Sequence, residues 1–238
     1  MTAEPTPLER QQLELVDPSA HTFWHWVRFD IVAGVAEARG ATHVVDIGAG
    51  SGMLGDRLAG SHPHLGYRFD ELSPALDAAL AGRWGSTARL GDDDTIAADG
   101  VAAMLDVIEH IEDDVAALRA WHGRMEAGTH LVVTVPALQW AFSEWDTDLG
   151  HHRRYSRASL LAALETAGFR VRRCDYLFPE LLPLVLKRRF ASSSGGDADM
   201  PVLGDRVNRV GYAIGSMTSR LRRWWPAGTS VVAIAERR

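Results

Sequence analysis

Ser143–Ser156 reads SEWDTDLGHHRRYS, and its fourteen residues hold three acids, two adjacent histidines, two arginines and two aromatics. Such a composition suits a metal site, a catalytic base beside a substrate clamp, or a charged, solvated turn. Histidine is the natural base, because its reference pKa lies near neutrality. His151 and His152 are candidates here, and His110 is a third elsewhere in the chain. Arg153 and Arg154 could pair with a carboxylate or phosphate. They could equally fix the loop by bonding to Asp146 or Asp148.

A second stretch with chemical content is THVVDIGAGSGML, a short β-branched run, a glycine-rich turn and an expected helix start. Such a turn brings backbone N–H groups and a helix N-terminus close to a ligand. Two registers compete. Gly50, Gly52 and Gly55 spell a dinucleotide fingerprint, whereas Asp46, Gly48, Gly50 and Gly52 spell D-x-G-x-G-x-G. The strand flows directly into Gly48, so the turn begins there. A carboxylate at Asp46 suits a ligand bearing an ammonium group better than a pyrophosphate, since like charges repel. The second register is favoured.

Strand signals recur at GYRFDE, near STARL, and at VAAMLD, HLVVTVP, FRVRRCDYLF and TSVVAIAE. Helical patterns fall between most of them: PALDAALAG, DDVAALRAWHGRM and SRASLLAALETAGF. This alternation predicts a mostly parallel sheet covered on both faces. Ligands of open α/β sheets bind at the carboxyl edge of the strands. Both the glycine turn and SEWDTDLGHHRRYS follow predicted strands and so belong to that edge. HTFWHWVRFDIVAGVAEARG predicts an amphipathic helix ending at Gly40. Residues 1–20 read as a polar, Pro-rich arm and Ala191–Asp199 as a flexible connector.

The chain has 238 residues, 46% hydrophobic and 24% charged, which fits one soluble globular domain. A net charge of -6 argues against a nucleic-acid binder driven by general phosphate attraction. Cys174 stands alone, which excludes an internal disulfide. The N-terminus lacks a basic-then-apolar signal pattern. The longest apolar run, Leu177–Leu186, is about half of what a transmembrane segment needs. A cytoplasmic protein is expected. From Leu203 an apolar stripe runs through Val207, Val210, Ile214, Met217, Leu221 and Trp224, accompanied by five arginines. It suits a core-packed face, a pocket lid, a membrane-surface contact or a homodimer seam.

From the glycine turn onward the chain resembles the class I S-adenosylmethionine-dependent methyltransferases. The nearest likeness is to ubiquinone-biosynthesis-type O-methyltransferases and related small-molecule methyltransferases. DIGAGSG resembles the family's first motif, which lies against the methionine end of the cofactor. RFDELSP resembles the second, whose acid grips the ribose hydroxyls. Glu71, 21 positions after Gly50, fits that role, with Asp70 as rival. In LGDDD, Asp92 is placed like the acid that contacts the adenine amino group, with Asp93 second. LDVIEHIEDD resembles the motif beside the transferable methyl group. Some relatives bind a divalent cation there through an acid-x-x-Glu-His pattern, matched here by Asp106, Glu109 and His110. HTFWHWVR resembles the subgroup's N-terminal aromatic helix, with Arg28 reaching the cofactor's carboxylate.

In the same subgroup an aspartate and Gly-His-x-Arg-Arg-Tyr follow the fifth strand. The matches are Asp146, Gly150, His151, Arg153, Arg154 and Tyr155, which makes His151 the base or substrate anchor and His152 the variable position. Trp140, Phe142 and Trp145 would wall the acceptor pocket. The resemblance thus implies an α/β, Rossmann-like, seven-stranded, mostly parallel sheet with helices on both faces and an antiparallel last strand. Its organisation would be an N-terminal arm and cap helix (1–40), a cofactor-binding core (41–190), a helical insertion (191–225) and a closing strand (226–238). The implied activity is methyl transfer from S-adenosyl-L-methionine to an oxygen, less readily a nitrogen, of a small molecule. The natural-product, sugar and prenylated classes all remain open as acceptors. The alternatives are an NAD(P)-dependent oxidoreductase using the overlapping G-x-G-x-x-G, or a non-catalytic cofactor-binding protein. The first lacks an evident hydride-transfer set, and Lys187 is the only lysine.

Overall fold

The computed structural model describes residues 6–16, 21–190 and 203–238. The expected connector Ala191–Asp199 and residues 1–5 and 17–20 of the arm lie outside them. Six strands form one sheet: β1 (His43–Ile47), β2 (Gly66–Asp70), β3 (Gly100–Leu105), β4 (His130–Pro136), β5 (Phe169–Leu177) and β6 (Ser230–Arg237). Their order is β2-β1-β3-β4-β6-β5, and only β6 runs antiparallel to its neighbours. The strand expected near STARL shrinks to one parallel bridge between Phe69 and Arg89. A 3-10 turn at Ser86–Ala88 precedes it and the Gly91–Asp94 turn follows, leaving no length for a ladder.

The strands are apolar on both faces because both are covered. On one side Val45, Ile47, Ala102, Met104, Leu131 and Val133 pack under α5 (Asp114–Gly123) and α7 (Arg157–Thr166). On the other, Val44, Val101, Ala103 and Val132 pack under α2 (Phe23–Arg39) and α3 (Met53–Ser61). Successive residues of a strand alternate between the two cores, the period-2 rule applied twice. α4 (Pro74–Trp84) completes the β2 side, capped by the Ser73 hydroxyl.

The N-terminal arm is not wholly irregular. Thr6 and Glu9 form a capping box, with Pro7 at the first position of α1 (Pro7–Glu14). α6 (Glu144–Asp148) lies in the loop after β4, and α8 (Leu182–Phe190) leaves the end of β5. α9 (Asp205–Arg220) then packs against α2.

The stripe on α9 overturns the core-packing reading. Val207, Val210, Ile214, Met217, Leu221 and Trp224 are all exposed, and only Leu203 joins a core. The face turned inward is small and polar: Asn208, Gly215, Thr218 and Ser219 are buried. A Cβ on Gly211 would lie 2.5 Å from the Phe23 ring, so the missing side chains set the approach. Asn208 holds the seam. Its Oδ1 accepts from Phe23 N at 3.1 Å, and its Nδ2 donates to His21 O at 3.1 Å. Asn208→Ala strands these buried groups at a cost of about 1–3 kcal/mol. Thermal denaturation should show a loss of roughly 2–4 °C for each kcal/mol.

Candidate active site

β1 runs out into a turn in which Gly48, Gly50 and Gly52 all have left-handed φ, between +55° and +77°. Those are the glycines of the D-x-G-x-G-x-G register. Gly55 is helical, and its need is for space: a Cβ there would lie 2.8 Å from both Tyr67 and Trp84. The next strand returns an acid to this turn. Glu71 accepts from Gly50 N at 2.7 Å and from Ser73 N at 2.8 Å. Asp70 instead faces Arg124 at 3.9 Å, while its backbone carbonyl receives Gly48 N and Ala49 N. Asp92 is exposed on the following turn.

Asp46 lies beneath the glycine turn, buried, and accepts a hydrogen bond from Tyr67 OH at 3.0 Å. Burial pushes its carboxyl up to about 7, the Tyr67 hydrogen bond opposes this, and Glu71 adds to it. α1 crosses the same groove. Ser51 N donates to Gln12 Oε1 at 3.1 Å, and Ser73 Oγ donates to Glu9 at 2.6 Å. A Cβ on Gly50 would lie 2.3 Å from Gln12 Oε1. Neither Gln12 nor Glu9 is among the sequence candidates, although the capping box that orders their helix is readable in Thr6-Pro-Leu-Glu9.

At the tip of β3, Asp106 is ion-paired with Arg28, which also donates to Ser230 Oγ at 3.2 Å. Thr134 Oγ1 donates to the other Asp106 oxygen at 3.3 Å. Arg28 thereby ties α2 to the tips of β3 and β6, and the structure sets Asp106 apart from Glu109 and His110 as a candidate ligand. Those two meet His151 instead, with one ligand atom of each lying within 4.8 Å of the others. Glu109 is 0% exposed, and both its carboxylate oxygens lack a partner among the described residues. Burial, with Asp106 nearby, holds its carboxyl well above the ordinary range. His110 lies edge-on to His151 at 4.6 Å and is pushed down to about 4 by burial and by that neighbour.

The loop after β4 is organised around Asp146, which is 0% exposed. It accepts from His151 Nδ1 at 2.9 Å, Arg154 Nε at 2.8 Å and Ser143 N at 2.9 Å. Burial opposes its charge, but these donors win and hold the carboxyl down at about 2. His151 therefore donates its Nδ1–H, and its Nε2 is left to act as acceptor. Arg153 pairs with Asp114 at 3.1 Å, so both guanidiniums are spent on the chain itself. Tyr155 belongs to the core, its hydroxyl donating to Asp114 at 2.6 Å. His152 contributes its backbone N–H to Glu109 O at 2.8 Å. Trp145 meets the His151 ring edge-on at 6.0 Å, and Trp140 is exposed.

Among the described residues, three other than glycine adopt left-handed φ: Asp106 (57°), Leu138 (70°) and Phe178 (56°). They follow β3, β4 and β5, all at the same sheet edge as the glycine turn. For Leu and Phe this conformation is strained, and such strain gathers at functional edges. By contrast, a cleft of about 580 Å³ between α2 and α9 is lined by His130, Arg39 and Arg220, at the opposite edge.

The six-stranded α/β topology is a fold shared with several solved methyltransferases. Among solved structures, a chain of the complex between the Haloferax volcanii Trm112 methyltransferase activator and a methyltransferase superposes with a TM-score of 0.59. Identity is 16%, over 98% of this chain and 99% of that one. A SAM-dependent methyltransferase from Archaeoglobus fulgidus gives 0.51 at 17% identity, over 88% and 94%. The [4+2]-cyclase SpnF gives 0.52 at 17%, over 87% and 78%. No protein-family model and no curated protein matches the chain.

The Asp46 carboxyl supplies a stability test. Its folded pKa is raised above the ordinary 3.8. Its contribution is therefore complete below about pH 4 and is lost as pH rises through about 7. Asp46→Asn keeps an acceptor for Tyr67 and removes that loss. In thermal melts the variant should gain on the native protein by several degrees between pH 5 and pH 8.

Proposed function

We propose that the protein transfers a methyl group from S-adenosyl-L-methionine to an oxygen, or less readily a nitrogen, of a small molecule. The observation that carries this reading is the glycine turn: three left-handed glycines above a buried Asp46, with Glu71 returned onto Gly50 N. Backbone N–H groups and two acids in one groove suit a cofactor with an ammonium group at one end and ribose hydroxyls at the other. They suit a pyrophosphate poorly. The oxidoreductase register draws no support from Gly55, whose requirement is helix packing. α1 covers the groove, and Gln12 must move aside or share it when the cofactor binds.

Methyl transfer is an in-line displacement. The acceptor oxygen bonds to the methyl carbon, the carbon–sulfur bond breaks, and its electrons return to the sulfonium sulfur. The protein needs to position the acceptor and take up the hydroxyl proton. His151 Nε2 receives that proton, while Asp146 fixes the ring and stabilises the imidazolium. Calorimetry should show heat with S-adenosylmethionine or S-adenosylhomocysteine and none with NADPH; the reverse would sink the reading. With an acceptor in hand, His151→Ala should lower kcat by about 10²–10⁴-fold. Cofactor affinity should stay within a factor of about three, a window far narrower than the loss of a general base.

The partnerless Glu109 carboxylate favours a second role for the same cluster, as a divalent-cation site of Glu109, His110 and His151. Two imidazoles and one carboxylate suit zinc or another transition metal better than magnesium. Such an ion would polarise an acceptor oxygen and lower its pKa. Asp146, by accepting from His151 Nδ1–H, would orient that ligand. Zn²⁺ or Mn²⁺ should raise the melting temperature of the native protein and leave that of Glu109→Gln unchanged. An equal rise in both would remove the site.

A further inference from the structure

We infer that the outer face of α9, with the turn at Arg222–Trp224, docks on an anionic lipid surface. An ordinary surface helix turns its apolar stripe inward, but α9 does the reverse. Val207, Val210, Ile214, Met217 and Leu221 are 41–60% exposed, and Trp224 is 67% exposed. The buried side of the helix is formed by Asn208, Gly215, Thr218 and Ser219. Packing against the protein explains that polar side and leaves the apolar side without an occupant.

The charges select the occupant. Arg206, Arg209, Arg220 and Arg223 are exposed on or beside the stripe, and Asp205 is the only acid from 203 to 225. Arg223 lies over the Trp224 ring at 4.8 Å, an aromatic and a cation together at the helix end. A two-fold contact between copies would run α9 antiparallel or parallel to itself. Antiparallel, it sets Arg206 and Arg209 against the Arg220–Arg223 end; parallel, it sets each arginine beside its own copy. Either seam gathers like charges at a dry interface, whereas acidic lipid headgroups neutralise them. On α8, Leu184, Leu186 and Lys187 are also exposed, and both helices abut the turn Pro179–Leu181. Apolar side chains entering the headgroup boundary with arginines at their flank is how amphipathic helices lie on membranes.

Among the described residues no helix is long and apolar enough to cross a membrane, so the contact is peripheral. The inference is independent of the cofactor reading. Its test is sedimentation of the full chain with vesicles of phosphatidylglycerol and phosphatidylcholine, against phosphatidylcholine alone. Binding should require phosphatidylglycerol and weaken with added salt. The double variant Ile214→Glu, Met217→Glu replaces exposed residues. It should cut partitioning about tenfold or more while leaving the melting temperature and the heat with S-adenosylhomocysteine unchanged. Failure of the native protein to sediment, or equal sedimentation of the variant, would overturn the inference. So would a dimer in light scattering that the variant splits. Absence of heat with S-adenosylhomocysteine would instead count against the methyltransferase reading alone.

Discussion

Asp146 is a carboxylate without solvent, held ionised by an imidazole N–H, a guanidinium and the amide at its own helix start. A buried charge left unpaired costs on the order of 3–5 kcal/mol, so the segment can hardly fold without satisfying it. The conformation of residues 143–155 follows from that demand. Ser143 caps α6, Arg154 is drawn back toward β4, and the His151 ring is held by its Nδ1 on Asp146, close to Glu109 and His110. The dense charge of SEWDTDLGHHRRYS is therefore mostly internal wiring.

The opposite wall is fixed by the Arg28–Asp106 pair, which joins α2 to the sheet edge. Asp106 can take part because its backbone is left-handed and turns the chain sharply out of β3. Leu138 and Phe178 do the same after β4 and β5, with large side chains whose burial offsets the strain. Glycine relieves the backbone at the turn after β1, where Gln12 and Glu71 approach closely. Anchored residues bear the strain after β3, β4 and β5, where loop direction matters more.

The sheet and the glycine turn are legible in the sequence because they rest on local rules. Apolar runs alternate with helical spacing, and glycines mark the turn that only they can make. Glu71 is legible for the same reason, being a fixed distance along one strand–helix unit. What escapes depends on partners distant in the chain. Nothing local announces that Asp106 is claimed by Arg28, that Tyr155 turns inward to Asp114, or that His151 joins Glu109 and His110. The strand at STARL fails because pairing length is set by the turns that flank it. α9 is the instructive case: its periodicity gives a helix and an apolar stripe, but periodicity carries no direction. Only the close approach of Gly211 to Phe23 and the bonds of Asn208 show which side faces the protein.

That seam has a thermodynamic consequence. Heat capacity changes on opening a structure scale with the apolar surface newly wetted. Most of the molecule would register strongly, since its helices leave leucine, valine and phenylalanine behind. The α2–α9 seam is lopsided: α9 brings glycines, hydroxyls and one carboxamide, while α2 brings Phe23 and Val27, so parting it wets apolar area chiefly from one side. Such an opening would register in a calorimetric scan mainly through α2, and it would have to break the Tyr212–Asp30 bond together with those of Asn208.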